Sequence, residues 1–227
     1  MNLIEYKEIE AYMLQQMQDS AHDRHHVYRV LNAALDIARH LESIDEDVLV
    51  ASCLLHDIGR DKQFTDLDNI CHAEVGGKMA YEYLLSQQWS IIKAQHVKEC
   101  ISTHRFRGNN KPKSIEAKVL YDADKLDASG AIGIARTLIY EGQVMEPLYI
   151  IDVNNNIIED GGGAEISSFF QEYNYKLKNV YDSFYTEHAR KIAKERQKTA
   201  IDFYNSLFKE VSDNYENGIK KYISSLR

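Results

Sequence analysis

The chain has 227 residues, of which 44% are hydrophobic and 27% charged, and this predicts a soluble globular protein with a sizeable core. Its formal net charge of −8 argues against extended DNA or RNA as a partner, because phosphate contacts need clustered Lys and Arg, whereas a small anionic ligand needs only a local basic cluster. No apolar run approaches the roughly 20 residues that cross a bilayer, so no membrane partner is expected.

The N-terminal segment and the cysteines bear on the location of the protein. The segment MNLIEYKEIEAYM is acidic and amphipathic, which is not the pattern of a signal peptide. Cys53, Cys71 and Cys100 form no CxxC pair, so neither a zinc ribbon nor a disulfide framework is indicated. A cytoplasmic location is therefore predicted.

Two helical segments follow in chain order. Apolar residues recur at three- and four-residue steps over residues 26–41, which predicts a helix. Ser43 with Glu46 resembles a capping box before the next apolar run, residues 48–58. Gly59 is well placed to end that helix as its C′ residue.

The rest of the chain shows helical periodicity with one interruption. Residues 142–164 contain the run DVNNNIIEDGGG, which predicts a loop or a short hairpin. An aromatic stripe over residues 166–184 indicates either a core face or a dimer face, with core favoured and a homodimer left open. Since no run alternates with a period of two, the fold class predicted is all-α. Further helices are expected at about 74–87, 90–103, 114–126, 128–141 and 187–225.

Histidines and aspartates occur in an order that predicts a metal site. The residues concerned are His22, His25, His26, His56, Asp57, His72, His104, Asp122, Asp124 and Asp127. A mixed set of imidazoles and carboxylates without thiolate suits Mn, Fe, Co, Ni or Zn, or Mg when fewer histidines bind. Adjacent His56 and Asp57 at a helix end can reach one ion, because their side chains diverge by only about a quarter turn.

Each of these residues also has an ordinary interpretation. A single histidine in a helix is more often a surface or core residue, and His40, His96 and His188 are interpreted in that way. Three aspartates within six residues can simply cap a turn. The joint order of a helical His, an HD pair, further His and then Asp is what favours a site.

Three motifs in this order resemble the HD-domain superfamily of metal-dependent phosphohydrolases. They are HDRHHVYRV at residues 22–30, HDIG at residues 56–59 and DADKLDASGAIGIAR at residues 122–136. HDIG is the form of the central motif in one large branch of the superfamily, and the last motif is similar to that of the small bacterial single-domain members. The resemblance implies an all-α HD-domain bundle over residues 1–227, with a signature core at about 20–140 and additional C-terminal helices at about 165–227.

The resemblance also implies a ligand set and leaves two further histidines with alternative roles. The metal ligands implied are His26, His56, Asp57 and Asp124. His72 and His104 lie where some HD proteins place ligands of a second metal. Because this chain has Thr103–His104 where those branches often have paired histidines, the two residues are expected either to bind a second ion or to contact substrate, with His104 as an acid–base residue.

Catalysis and substrate binding need further groups. Asp57 or Asp127 is expected to orient the attacking water or take its proton. The residues expected to bind substrate phosphate are Arg29, Lys125, Arg136 and Arg105. The last belongs to the basic segment HRFRGNNKPK, for which a solvated basic loop is an equal interpretation.

The function predicted is a metal-dependent phosphohydrolase, with Mn favoured as cofactor, acting on a small phosphorylated molecule. Similar small bacterial proteins imply a nucleoside triphosphate that is cleaved to monophosphate and pyrophosphate. One alternative is a sensory module that binds metal and nucleotide without turnover. The other is a di-iron oxygenase of the HD type.

Overall fold

The computed structural model describes residues 1–17, 24–60, 71–105, 110–154, 156–160 and 168–226. Within these ranges the chain is helical, and its extended pairing is limited to one isolated bridge, so the all-α prediction is confirmed. We number the helices α1 (Leu3–Gln16), α2 (Arg24–Ala38), α3 (Glu46–Leu55), α4 (His72–Ser86), α5 (Ile91–Thr103), α6 (Ile115–Asp127), α7 (Gly130–Gln143), α8 (Phe169–Tyr175), α9 (Glu187–Asp213) and α10 (Lys220–Ser225). A 3-10 helix spans Leu177–Asp182, and a π-helix spans Asn214–Ile219.

The described residues form two compact units. The first unit contains Met1–Asp127 and Phe184–Arg190, and the second contains Ala128–Ser183 and Lys191–Arg227. Helix α9 thus begins in the first unit and continues in the second. A single domain over residues 1–227 stays a prediction.

Helix α3 is the central element of the first unit. Its residues from Val48 to Leu55 are almost all buried, whereas a surface helix would bury only one stripe. Helices α1, α2, α5 and α6 pack against it. As a result, the two residues that follow α3, His56 and Asp57, lie at the centre of the unit and are fully buried.

The start of α3 differs from the prediction. The N-cap is Asp45, whose carboxylate accepts hydrogen bonds from the backbone N–H groups of Asp47 and Val48, while Ser43 has a positive φ of 60°. The capping box predicted for Ser43 is therefore wrong. Aspartate caps as well as serine does, and here the backbone N–H of Asp45 is satisfied by Glu116 of α6 at 2.9 Å.

Gly59 also has a different role from the one predicted. The C-cap of α3 is His56, and Gly59 does not have the positive φ of a C′ glycine. What requires glycine is close packing against the start of α4: a Cβ atom on Gly59 would lie 2.3 Å from the carbonyl oxygen of His72 and 2.6 Å from the N of Gly76. This close approach places His72 beside the end of α3.

The second unit has an aromatic core and a short hairpin. Phe169, Phe170 and Tyr173 of α8 are buried in one hydrophobic cluster, so the core interpretation of the stripe is confirmed for the described residues. The predicted hairpin is present as an antiparallel bridge between Ile151 and Ile157. None of the described helices combines the length and the apolar character that a membrane-spanning helix needs.

Candidate metal centre

The ends of several helices bring histidines and aspartates together within the first unit. His26 lies in the first turn of α2, and His72 is the first residue of α4. His56 caps the C-terminus of α3, and His104 caps that of α5. Helix α6 contributes Asp122, Asp124 and Asp127 from its last two turns.

Three donor atoms surround a common space, and a fourth lies beside one of them. The Nε2 atoms of His26 and His56 are 3.2 Å apart, and they lie 3.4 and 3.5 Å from Oδ2 of Asp57. Neighbouring donors around an ion with bonds of about 2.0–2.2 Å are separated by roughly 3–3.5 Å, so these three atoms are spaced as ligands are. Oδ1 of Asp124 lies 3.5 Å from Nε2 of His26, outside this three-residue group.

The outward hydrogen bonds of the two histidines place a proton on each Nδ1. Nδ1 of His56 is 2.8 Å from the carbonyl oxygen of Cys53, which can only accept, so this Nδ1 carries the proton. Nδ1 of His26 is 2.7 Å from Oδ2 of Asp127 and donates to it in the same way. In the neutral form of each ring, Nε2 therefore has a lone pair that faces the other ring and the Asp57 carboxylate.

Burial fixes the charges of this group. Desolvation lowers the pKa of His56 to about 4, with further lowering by the nearby His26 and His104, so its imidazole is neutral. Burial acts to raise the pKa of Asp57, but His56 and Arg60 hold it well below its usual value and the group stays ionised. Within the described residues neither oxygen of Asp57 accepts a well-aligned hydrogen bond, although Arg60 Nε lies 2.7 Å from Oδ2.

These features fit a divalent cation. Lone pairs and a carboxylate that converge without a proton between them repel one another unless a positive ion lies among them. Asp124 adds a second anionic donor, because Lys125 and His26 lower its pKa against the opposing effect of burial. Three members of the predicted set, His26, His56 and Asp57, are thus grouped in a form that can hold a metal ion, and Asp124 beside His26 stays a predicted ligand.

A second group shares Asp57 but has different protonation. Oδ1 of Asp57 lies 3.5 Å from Nε2 of His72 and 3.7 Å from Nε2 of His104. Nδ1 of His104 donates to the carbonyl of Ile101 at 2.6 Å, so in the neutral ring its inward Nε2 has a lone pair. Nδ1 of His72, in contrast, accepts from Arg105 at 3.1 Å, and burial lowers the pKa of His72 to about 2. The neutral ring of His72 therefore presents an N–H to Asp57.

Asp127 and Arg29 support His26. The guanidinium of Arg29 donates Nε to Oδ1 of Asp127 at 2.6 Å and an Nη to Oδ2 at 3.0 Å. Asp127 in turn accepts from Nδ1 of His26, so the pair fixes the ring and its tautomer. The structure thus places both residues behind a candidate ligand, whereas a catalytic role was predicted for Asp127 and phosphate binding for Arg29.

The other three residues predicted to bind phosphate, Lys125, Arg105 and Arg136, do not all belong to one unit. Lys125 is partly exposed, and its Nζ lies 3.9 Å from Oδ2 of Asp124 and 5.4 Å from the centroid of the Tyr121 ring. Arg105 contacts His72 as described, and Arg136 lies on α7 in the second unit. His22 and Arg107 fall outside the described residues.

One residue of the centre was missed by sequence reasoning. Arg60 follows HDIG directly, and its Nε contacts Asp57 at 2.7 Å as an i,i+3 pair. The signal available was the spacing, since a cation three residues after a carboxylate faces it across one helical turn.

Asp122 has the ordinary capping role that was considered for the three aspartates. Its carboxylate accepts hydrogen bonds from the backbone N–H groups of Tyr185 and Thr186 at 2.8 and 2.7 Å.

Comparison with known proteins identifies the family. The pattern of the HD domain matches residues 24–129, the stretch that carries all of these candidate ligands. Protein YpgQ of Bacillus subtilis is 30% identical over 198 residues, which cover 86% of this chain and 86% of YpgQ. The chain belongs to the HD-domain family. The resemblance to small bacterial HD phosphohydrolases is therefore confirmed at the level of the superfamily.

Solved structures of HD-domain proteins share this fold over almost the whole chain. The crystal structure of YpgQ in complex with ADP has a TM-score of 0.68 and 26% identity, and the match covers 90% of this chain and 97% of YpgQ. A predicted HD-superfamily hydrolase from an uncultured Thermotogales bacterium has a TM-score of 0.60 and 29% identity, with 92% of each chain covered. The HD-domain helices and the C-terminal helices are thus both represented among the relatives.

Proposed function

We propose that this HD-domain protein is a metal-dependent phosphohydrolase whose substrate is a small phosphorylated molecule, most specifically a nucleotide. The observation that carries the proposal is the approach of the inward Nε2 atoms of His26 and His56 to within 3.2 Å of each other beside the Asp57 carboxylate. Such an arrangement is costly in a buried site without a cation. The match to HD-superfamily hydrolases supports hydrolysis as the reaction class.

The metal ion and the side chains of the site would have different roles in hydrolysis. A divalent ion held by His26, His56, Asp57 and Asp124 would lower the pKa of a bound water and offset charge on a phosphoryl group. His104 has a lone pair on its inward Nε2 and is suited to take a proton from the attacking water. His72 presents an N–H and is suited to donate a hydrogen bond to a phosphoryl oxygen.

These protonation states favour one resident ion rather than two. A second ion between Asp57, His72 and His104 would need a lone pair on Nε2 of His72. Arg105 holds the other tautomer by donating to Nδ1. We therefore assign the second group to substrate and proton handling, and we expect one metal ion per chain. Manganese stays the favoured ion, since a mixed set of nitrogen and oxygen donors without thiolate suits it.

A nucleotide is favoured by the relatives and by the cations of the site. YpgQ was crystallised in complex with ADP, and the chain aligns with that structure over most of its length. Lys125 lies beside the candidate ligand Asp124, and Arg105 lies beside His72, which we assign to substrate binding. We propose cleavage between the α- and β-phosphorus atoms of a nucleoside triphosphate: water oxygen adds to one phosphorus, and the products are a monophosphate and pyrophosphate, with release of a proton.

The experiment is a screen of nucleoside tri-, di- and monophosphates and cyclic nucleotides with the manganese-loaded protein. We expect one group of triphosphates to give monophosphate and pyrophosphate in equal amounts, detected by chromatography and a coupled pyrophosphate assay. His56→Ala should abolish the products, and His96→Ala serves as the matched histidine control.

Other results would favour other functions. Release of inorganic phosphate alone would point to a different phosphate ester, within the same reaction class. Saturable nucleotide binding without any product, at full metal content, would overturn the hydrolase proposal in favour of a binding module. Oxygen consumption dependent on bound iron, again without phosphate release, would favour the oxygenase.

A further inference from the structure

A second cluster of metal-binding side chains lies in the first unit, outside the centre described above. It consists of Asp36, His40 and His188, whose donor atoms all lie within 4.8 Å of one another. Asp36 lies in the last turn of α2, His40 lies in the turn that follows the helix, four residues on, and His188 is the second residue of α9. Residues separated by about 150 positions in the chain are thereby brought into contact.

The contacts within this cluster exceed those of a simple ion pair. Nε2 of His188 lies 2.9 Å from Oδ2 of Asp36. The ring of His40 stacks on that of His188, with centroids 3.8 Å apart and an interplanar angle of 27°. An ion pair accounts for the first contact alone, whereas the stacking adds a second imidazole next to the same carboxylate.

Charge and exposure suit the entry of an ion from solvent. The pKa of Asp36 is lowered, chiefly by its hydrogen bond with His188, so the carboxylate is anionic and able to bind a metal. Asp36 and His188 have side-chain exposures of 43% and 26%, and His40 is exposed. The exposed ring of His40 can turn without disturbing packed neighbours.

We propose that Asp36, His40 and His188 form a second binding site for a divalent transition metal, with zinc as the probe ion. Two imidazole nitrogens and one carboxylate oxygen suit zinc, and water completes its coordination. The ion takes the place of the proton shared between His188 and Asp36, while the His40 ring rotates to present a nitrogen. The bound ion joins the end of α2 to the first turn of α9, and both segments belong to the first unit.

Bound metal at this site would stabilise the folded chain. An ion that binds only when the three donors are assembled shifts the equilibrium towards the folded state. The donors close a long stretch of chain, so the unfolded state offers no preformed site. The proposal does not depend on the phosphohydrolase function.

The test measures zinc content after dialysis against zinc, together with the thermal midpoint, for the wild-type chain, four single variants and one double variant. His40→Gln and His188→Gln each remove one donor of the cluster. His96→Gln is the matched control, because His96 also lies beside a carboxylate, with Nε2 3.2 Å from Oε2 of Glu116, but belongs to no three-donor group within the described residues. His56→Gln instead removes a ligand of the buried centre.

Wild type and His96→Gln should each bind about one zinc ion more than His40→Gln and His188→Gln. Zinc should raise the thermal midpoint of His56→Gln, which retains the surface cluster, and should raise it less in the double variant with His188→Gln. Equal zinc content in wild type, His40→Gln and His188→Gln would overturn the proposal. Loss of zinc from His56→Gln alone, with the cluster variants unchanged, would place all bound zinc in the buried centre and would overturn it as well.

Discussion

At the scale of single residues, the centre depends on the groups that fix each imidazole. Backbone carbonyls hold His56 and His104, and Asp127 holds His26, each through Nδ1. The outward hydrogen bond determines which nitrogen faces the site. His72 has the opposite tautomer, with its proton on Nε2, because Arg105 can only donate and its hydrogen bond goes to Nδ1.

Replacing Asp127 by alanine should therefore weaken metal binding. Without an acceptor for Nδ1, His26 loses both its orientation and its tautomer, and outer-shell changes of this kind typically cost about 10- to 100-fold in metal affinity. Competition with a chelator measures the change. Arg29→Met is the control, since it leaves the His26–Asp127 hydrogen bond in place and should cost less. Wild-type affinity in Asp127→Ala would contradict this role.

Glu141 provides a residue-scale prediction in the second unit. Its side chain is buried, with no hydrogen bond to either oxygen within the described residues, and burial together with Glu146 and Glu172 raises its pKa to about 7. The folded state thus holds a proton that the unfolded state releases above about pH 4.5. The contribution of Glu141 to stability is complete below that pH and is lost as pH rises towards 7.

Glu141→Gln should remove this pH dependence. The neutral amide cannot ionise, so the variant should gain on the order of 1–3 kcal/mol over wild type at pH 8, and the gain should shrink towards pH 5. Urea unfolding at the two pH values measures the difference. An equal effect of the substitution at both pH values would show that Glu141 does not titrate in this range.

At the scale of elements, the position of α4 relative to α3 depends on Gly59. Gly59→Ala introduces a Cβ atom 2.3 Å from the carbonyl oxygen of His72, and backbone on both sides must shift. We expect a loss of roughly 1–3 kcal/mol in unfolding free energy, as for other overpacked sites. Since His72 moves with the helix, turnover should fall while metal content is retained.

Gly142→Ala is the matched control for this substitution. A Cβ atom at Gly142, in the last turn of α7, would have no neighbour within 4 Å. Alanine is the better helix former, so this variant should be unchanged or more stable by up to about 1 kcal/mol. Thermal unfolding of both variants makes the comparison, and equal stability for the two would contradict the proposed packing role of Gly59.

Helices were predictable because burial imposes a period that the sequence shows directly. The four predicted at about 74–87, 90–103, 114–126 and 128–141 correspond to α4 to α7 within a few residues. The cap at Asp45 and the packing of Gly59 were not predictable, since both depend on partners from other helices. Local motifs identify a turn but not the long-range contact that selects one residue within it.

The same limit applies to the candidate site. Motif order was sufficient to predict that His26, His56 and Asp57 meet, because the resemblance carries long-range information. The resemblance also selected Asp124, which lies beside His26, over Asp122. Without the resemblance, spacing alone did not separate Asp124 from Asp122, which accepts backbone hydrogen bonds from Tyr185 and Thr186. Nor could spacing reveal the Arg29–Asp127 pair, which joins α2 to α6.

At the scale of the whole molecule, the metal centre uses side chains from five helices and the turns that follow them, all within the first unit. The buried helix α3 delivers an HD pair to the middle of that unit, and the surrounding helices add the remaining donors. A cation in this position compensates charges and lone pairs that would otherwise destabilise the core. The central claim is therefore that one divalent ion belongs to this site.

The most direct test is the metal content of purified, manganese-reconstituted protein by elemental analysis, in wild type, Asp124→Ala and His72→Ala. We expect about one ion per chain in wild type and in His72→Ala, and loss of that ion in Asp124→Ala. About two ions in wild type, with one lost in His72→Ala, would contradict the assignment of His72 to substrate. Equal metal content in wild type and Asp124→Ala, or no metal in any of the three proteins, would contradict the centre itself.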